Sequence, residues 1–139
     1  MVLKKGLGCL VAVFFILNVL NAQPPVLKIP TAHTAWITGF DVSHNGKYVA
    51  TASVDFTIKI WDYRTKKELN VLTGHTGSVN AVRFSPDDSL IISGSNDTDI
   101  RIWKVSTGEC IGILDTMFNR KVNDVCFSPD GRLIAGCSN

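Results

Sequence analysis

Laid over itself with a shift of 42 residues, the chain matches its own pattern. His33 falls on His75, Thr34 on Thr76, Ser43 on Ser85, Ser53 on Ser95, Asp55 on Asp97, Ile58 on Ile100, Ile60 on Ile102 and Trp61 on Trp103, eight identities in 29 positions. A shift of 43 then lays the 18 residues from Val79 on those from Val122, and eleven agree. A fixed period between about 20 and 50 residues marks a repeat architecture, in which each unit is one supersecondary element that buries its faces only against its neighbours. The 139 residues are by themselves too few for a large enzyme.

Inside each unit the hydrophobic period is 2 rather than 3.6. Ile58 and Ile60 alternate with Thr57 and Lys59, and Ile100 and Ile102 alternate with Asp99 and Arg101, the pattern of a strand with one buried face. Turn formers separate the runs at His44-Asn45-Gly46, Pro86-Asp87-Asp88 and Pro129-Asp130-Gly131. The pattern predicts an all-β chain with strands at Val26 to Ile29, Trp36 to Val42, Tyr48 to Ser53, Thr57 to Asp62, Glu68 to Thr73, Val79 to Ser85, Leu90 to Ser95, Asp99 to Val105, Glu109 to Asp115, Val122 to Ser128 and Arg132 to Ser138. No helix is expected after the N-terminal leader.

Linked motifs carry a family resemblance: the Gly74-His75 pair, the Ser-Pro-Asp turns, the Ser-x-Ser-x-Asp run at Ser93 to Asp97 before an alternating strand, and the Trp61-Asp62 ending. Over residues 26–139 the chain resembles WD-repeat β-propeller proteins. The resemblance implies units at about 31–62, 73–104 and an incomplete 116–139, giving two complete four-stranded blades and part of a third within a segment 23–139. It also implies that three inner strands of a blade come from one repeat and the outer strand from the next. Val26 to Ile29 then reads as the outer strand of a final blade.

The resemblance further implies a hydrogen-bonded chain of His, Ser or Thr, Asp and Trp inside each blade: His33, Thr51, Asp55 and Trp61 in the first unit, His75, Ser93, Asp97 and Trp103 in the second. Elementary chemistry agrees, since an indole has one donor and no acceptor, and an aspartate in a tight turn can accept from both an imidazole and backbone amides. Ser, His and Asp also make hydrolase triads. Here the set recurs unit by unit, whereas catalysis needs one copy, so the reading is structural and no catalytic residue is expected. Departures are Ala32 before His33, His44 in the place of Pro86 and Pro129, and Lys104 after Trp103. In the third unit Phe118 holds the histidine slot and Gly136 the hydroxyl slot, so that network cannot form.

Residues 1–22 combine Lys4 and Lys5 with an apolar run from Leu7 to Leu20 and a small residue, Ala22, before Gln23-Pro24-Pro25. This is the layout of a secretory signal peptide. The apolar run has 14 residues, about 21 Å as a helix against about 30 Å of hydrocarbon, so no stable membrane span is expected after cleavage. Beyond the leader, 12 basic side chains face 12 acidic ones. A phosphate-tracking or anionic-membrane role has no charge excess to draw on, nucleic acid is not an expected partner, and a local basic patch is not expected either. Cys110, Cys126 and Cys137 are an odd number for an oxidising compartment and lack zinc-site spacing; they read as small buried hydrophobes, with one disulfide pair and a free thiol as the alternative. No metal or cofactor is expected. Asn96-Asp97-Thr98 fits a glycosylation acceptor, but Asp97 belongs to a packed turn.

A closed propeller takes about four to eight blades. The chain is therefore expected to be the N-terminal portion of a longer protein, with self-assembly as the rival. The expected function is a secreted or periplasmic scaffold binding proteins or peptides; the alternative is the propeller of a larger secreted enzyme, such as a peptidase, with its catalytic domain elsewhere. The resemblance points to candidate binding positions at Trp36, Thr38, Val54, Ser78, Asn80, Asn96, Lys121 and Asn123. Trp36 stands out because tryptophan is enriched at binding hot spots and its counterpart is Ser78.

Overall fold

A computed structural model describes residues 33–115 and 119–138. They contain ten strands and no helix: β1 Ile37–Val42, β2 Tyr48–Ser53, β3 Ile58–Asp62, β4 Glu68–Leu72, β5 Val79–Phe84, β6 Leu90–Ser95, β7 Asp99–Lys104, β8 Cys110–Asp115, β9 Val122–Phe127 and β10 Ile134–Ser138. Every pairing is antiparallel, giving sheets β1-β2-β3-β4 and β5-β6-β7-β8 and the pair β9-β10. This is a partial propeller of two four-stranded blades and two strands of a third. The outer strands β4 and β8 follow the Trp61 and Trp103 strands directly, so the sequence repeat and the structural blade are offset by one strand. Val26 to Ile29 and the leader lie outside the described residues, as does Phe118.

Strand ends fall one or two residues inside several expected limits because turn hydrogen bonds claim the terminal residues. Ser85 turns its hydroxyl onto Asp87 Oδ1 at 2.6 Å, and Arg132 gives its amide to Asp130 Oδ1 at 3.1 Å. Trp36 lies between the bend at Thr34 and Ala35 and the start of β1, and its carbonyl accepts from Val54 N at 2.9 Å. The inner strands share an irregularity at their start: the register slips between Ile37 and Gly39 in β1 and between Val79 and Ala81 in β5. Such a bulge leaves one residue unpaired and increases the local twist.

The core lies between blades. Ala50, Ala52, Ile58, Ile60 and Leu72 of the first sheet meet Val79, Val82, Phe84, Ile91, Trp103 and Val105 of the second. Ala81, Ile92 and Ile100 meet Val122 and Val125 of the third. Each fully buried large aliphatic or aromatic side chain contributes about 1.5–3 kcal/mol, which is why β2 and β6, covered on both faces, are almost wholly buried. Gly94 permits the second contact: a Cβ there would lie 2.6 Å from Val122 Cγ1.

Polar contacts run along the same seams. Phe84 N donates to Asp41 Oδ2 at 2.8 Å, Asn70 Nδ2 to Val105 O at 3.0 Å, and Asn80 Nδ2 to Val122 O at 2.7 Å. Thr38 Oγ1 donates to Val79 O. Asp88 accepts from the backbone amides of His44 and Asn45 at 2.7 and 2.8 Å.

The cysteine expectation needs correcting. All three described thiols are free, and only Cys110 packs against a core; Cys126 and Cys137 are exposed. Register explains this, since Cys126 pairs with Ala135 and Cys137 with Asp124 on the face opposite Val125.

Candidate functional site

Two copies of one polar network sit inside the blades. In the second, Trp103 Nε1 donates to Ser93 Oγ at 2.8 Å, Ser93 Oγ lies 2.7 Å from His75 Nε2, and His75 Nδ1 lies 2.8 Å from Asp97 Oδ2. Asp97 also accepts from Thr76 N at 2.8 Å and Asp99 N at 3.1 Å. In the first, Trp61 Nε1 donates to Thr51 Oγ1 at 2.9 Å, which lies 2.9 Å from His33 Nε2, and His33 Nδ1 lies 2.9 Å from Asp55 Oδ2. Asp55 accepts from Thr34 N at 2.9 Å and from Thr57 Oγ1 at 2.6 Å. One direction of donation satisfies every member: indole N–H to hydroxyl, hydroxyl O–H to Nε2, and Nδ1–H to carboxylate. The imidazole in that chain is neutral.

The electrostatics of the second copy agree with a neutral imidazole. Burial pushes the His75 pKa below the usual histidine range, only partly opposed by Asp97. For Asp97, burial works upward but is outweighed by the Thr76 amide, His75 and the Asp99 amide, and the net shift is downward. Asp55 is held at about 2, where burial, working upward, is overcome by bonds from Thr57, His33 and Thr34. Thr51 and Ser93 are both 0% exposed. Their hydroxyls touch an indole and an imidazole and meet no solvent, so neither can attack a substrate.

The candidate binding residues gather at one end of the sheets, where β1, β5 and β9 begin. Trp36 is 73% exposed, and its carbonyl bond to Val54 N sets these two side by side. Ser78 and Asn96 are joined in the same way at 2.9 Å. Asn80 Nδ2 also donates to Asn96 Oδ1 at 2.8 Å. Asn96 and Lys121 are exposed, and Val54, Ser78 and Asn123 half-buried. Thr38 and Asn80 are thus engaged in blade-to-blade bonds as well as lying on this surface. Along the inner strands runs an open groove of about 530 Å³ bounded by Thr38, Phe40, Asn80, Arg83, Asn123 and Asp124.

Two residues here escape sequence reasoning. Arg83 Nη2 bonds Asp124 Oδ1 at 3.0 Å across the seam between β5 and β9; only the 41-residue separation, close to one period, hints at it. Arg101 bonds Asp99 Oδ2 at 3.1 Å and passes over Gly74, where an added Cβ would lie 2.8 Å from its Nη1. Its Nε is the one buried side-chain polar atom without a partner among the described residues. Also among these residues, no group of three or more His, Cys, Asp or Glu side chains is placed to hold a metal ion.

Two four-stranded blades, each around an indole–hydroxyl–imidazole–carboxylate chain, define a WD-repeat propeller module, the class of protein-interaction scaffolds. The family model described as "WD domain, G-beta repeat" matches residues 25–62, 66–104 and 108–139, and the chain belongs to that family. No curated protein matches the chain in a sequence search.

Proposed function

We propose that this chain is a protein-binding scaffold that works in a secreted or periplasmic setting and has no catalytic activity of its own. One observation carries the reading: the two Ser/Thr–His–Asp sets are sealed from solvent, each hydroxyl being 0% exposed and occupied by a tryptophan and a histidine. Side chains at the accessible end are instead presented for contact, with the Trp36 indole foremost. Aromatic anchors ringed by small polar groups suit recognition of a protein or peptide surface.

The test compares the full chain with its Trp36→Ala variant. The exported protein, immobilised, is challenged with proteins from the compartment that receives it. Retained urea stability with lost capture supports the reading. Lost stability with unchanged capture by the folded fraction refutes the role of Trp36, and hydrolytic turnover abolished by His75→Asn in a folded variant refutes the absence of catalysis. N-terminal sequencing of the exported form should begin at Gln23; recovery of intact Met1 in the cytoplasm alone would refute the export.

A further inference from the structure

The second repeat serves as an internal control for the first, and the comparison isolates one corner. The turn between β3 and β4 is closed by Lys66 N to Asp62 O at 2.9 Å, Asp62 N to Lys67 O at 2.9 Å and Tyr63 N to Lys47 O at 2.8 Å. The turn between β7 and β8 has the same three bonds, Gly108 N to Lys104 O at 2.8 Å, Lys104 N to Glu109 O at 2.9 Å and Val105 N to Ser89 O at 3.0 Å. The backbone is therefore shared while the side chains are not. Lys47, Arg64, Lys66 and Lys67 stand where the second repeat has Ser89, Ser106, Gly108 and Glu109.

The fold does not require these cations. Lys66 has φ 60° where Gly108 has φ 75°, a left-handed conformation that glycine adopts without penalty and lysine does not. The Lys66 ammonium is held 3.9 Å from the Tyr63 ring centroid and donates to the Tyr63 carbonyl, while Lys47, Arg64 and Lys67 are exposed. Four cations on one knitted turn repel one another. The neighbouring carboxylates are engaged elsewhere: Asp62 by Thr65 N and Oγ1 at 2.7 and 2.9 Å, Glu68 by Lys59 Nζ at 2.8 Å, and Asp88 by the His44–Asn45 turn. The expectation that a neutral chain carries no basic patch is thus corrected at this corner.

We propose that Lys47, Arg64, Lys66 and Lys67 form a docking site for an acidic, carboxylate-rich segment of a partner protein. This names the chemistry of one partner surface and rests on the scaffold reading above. A protein segment suits the patch better than a polyanion track: it spans one turn at one corner, and the rest of the chain beyond the leader supplies no net positive charge to follow a lipid surface or nucleic acid. The Arg64 guanidinium can engage a carboxylate in two parallel bonds, and Lys66, fixed on Tyr63, loses little freedom on binding.

The test transplants the second-repeat turn into the first as Arg64→Ser, Lys66→Gly and Lys67→Glu together, a change the fold already accommodates. The probe is a fluorescein-labelled octaglutamate peptide, read by anisotropy at low salt. The full chain should bind it and the transplant about tenfold or more weakly, the combined effect of three exposed charge pairs, with a urea midpoint no lower than that of the full chain. Equal peptide binding by chain and transplant overturns the proposal, as does tighter, transplant-sensitive binding to phosphatidylserine vesicles or to duplex DNA than to the peptide. Loss of peptide binding leaves Trp36-dependent partner capture untouched, so the two readings fail separately.

Discussion

Replacing Ser93 with alanine probes the buried network at the point where its connectivity matters most. The side chain is 0% exposed, and its oxygen is the acceptor for the Trp103 indole at 2.8 Å and the partner of His75 Nε2 at 2.7 Å. Removing it strands a buried donor and a buried acceptor, each worth about 1–3 kcal/mol, while the space vacated by one oxygen is too small for a water to restore both bonds. The expected loss is about 3 kcal/mol. Trp103→Phe removes the indole donor and part of a 1%-exposed ring, an expected loss of about 2–3 kcal/mol. Once the indole is gone, Ser93→Ala strands only one group, so the double variant should fall short of the sum by about 1–2 kcal/mol. Thr51→Ser, which keeps the hydroxyl and drops a methyl, should cost about 1 kcal/mol. The assay is urea unfolding followed by far-ultraviolet circular dichroism, because the variants remove a fluorophore. A loss under about 0.5 kcal/mol for Ser93→Ala, or strict additivity with Trp103→Phe, would refute the idea of one continuous chain of bonds.

Acidification should lower stability in two stages. Unfolded His75 takes up a proton near its ordinary value of about 6.5 while the folded imidazole, with its pKa lowered by burial, stays neutral; the unfolded state then binds more protons and stability falls as pH drops below about 6.5. A second fall follows below about pH 4 as the carboxylates of Asp55, at about 2 when folded, and Asp97, lowered, are protonated first in the unfolded chain. Urea midpoints from pH 7.5 to 3 should show both, and His75→Asn should flatten the first; a midpoint rising on acidification contradicts the argument. Gly94→Ala drives a Cβ to 2.6 Å from Val122 Cγ1 and 3.0 Å from Val125 Cγ1, an overpacking of about 1–3 kcal/mol; hydrogen exchange should quicken in residues 122–138 and not in residues 37–72. Asn80→Ala leaves Val122 O and Asn96 Oδ1 without that donor and should cost about 1–2 kcal/mol, with the same exchange pattern confined to β9 and the turn around Asn96.

Much of the fold was legible because the repeat and the period-2 alternation act locally. Tyr48–Ser53 and Leu90–Ser95 keep their expected limits, since apolar groups fill both faces and turn formers bracket both ends. What sequence reasoning misses lies a full period away along the chain. Thr38 reaching Val79, Asp41 reaching Phe84 N and Asp88 reaching the His44–Asn45 amides depend on how far one blade is staggered against the next, which no local pattern encodes. Cys126 and Cys137 went astray for a related reason: composition favours burial of cysteine, but the face each one takes is set by the β9–β10 register. The basic corner was hidden by averaging, because equal totals of acid and base say nothing about how they are distributed.

Because β4 belongs to the first sheet but follows the repeat that ends at Trp61-Asp62, successive units overlap like roof tiles. A cut at the apparent sequence joint would strip the outer course from the sheet before it and leave Ile58 and Ile60 without their hydrogen-bonded flank. Conversely, a protease nick after Arg64, in the exposed bend between the tiles, would sever the backbone while both fragments stayed clasped by the β3–β4 ladder and by the side chains of the adjoining sheet. A whole added or deleted period, by contrast, keeps each sheet four-stranded wherever the break falls, because β8 flanks β7 as β4 flanks β3 and one outer strand can take the other's place.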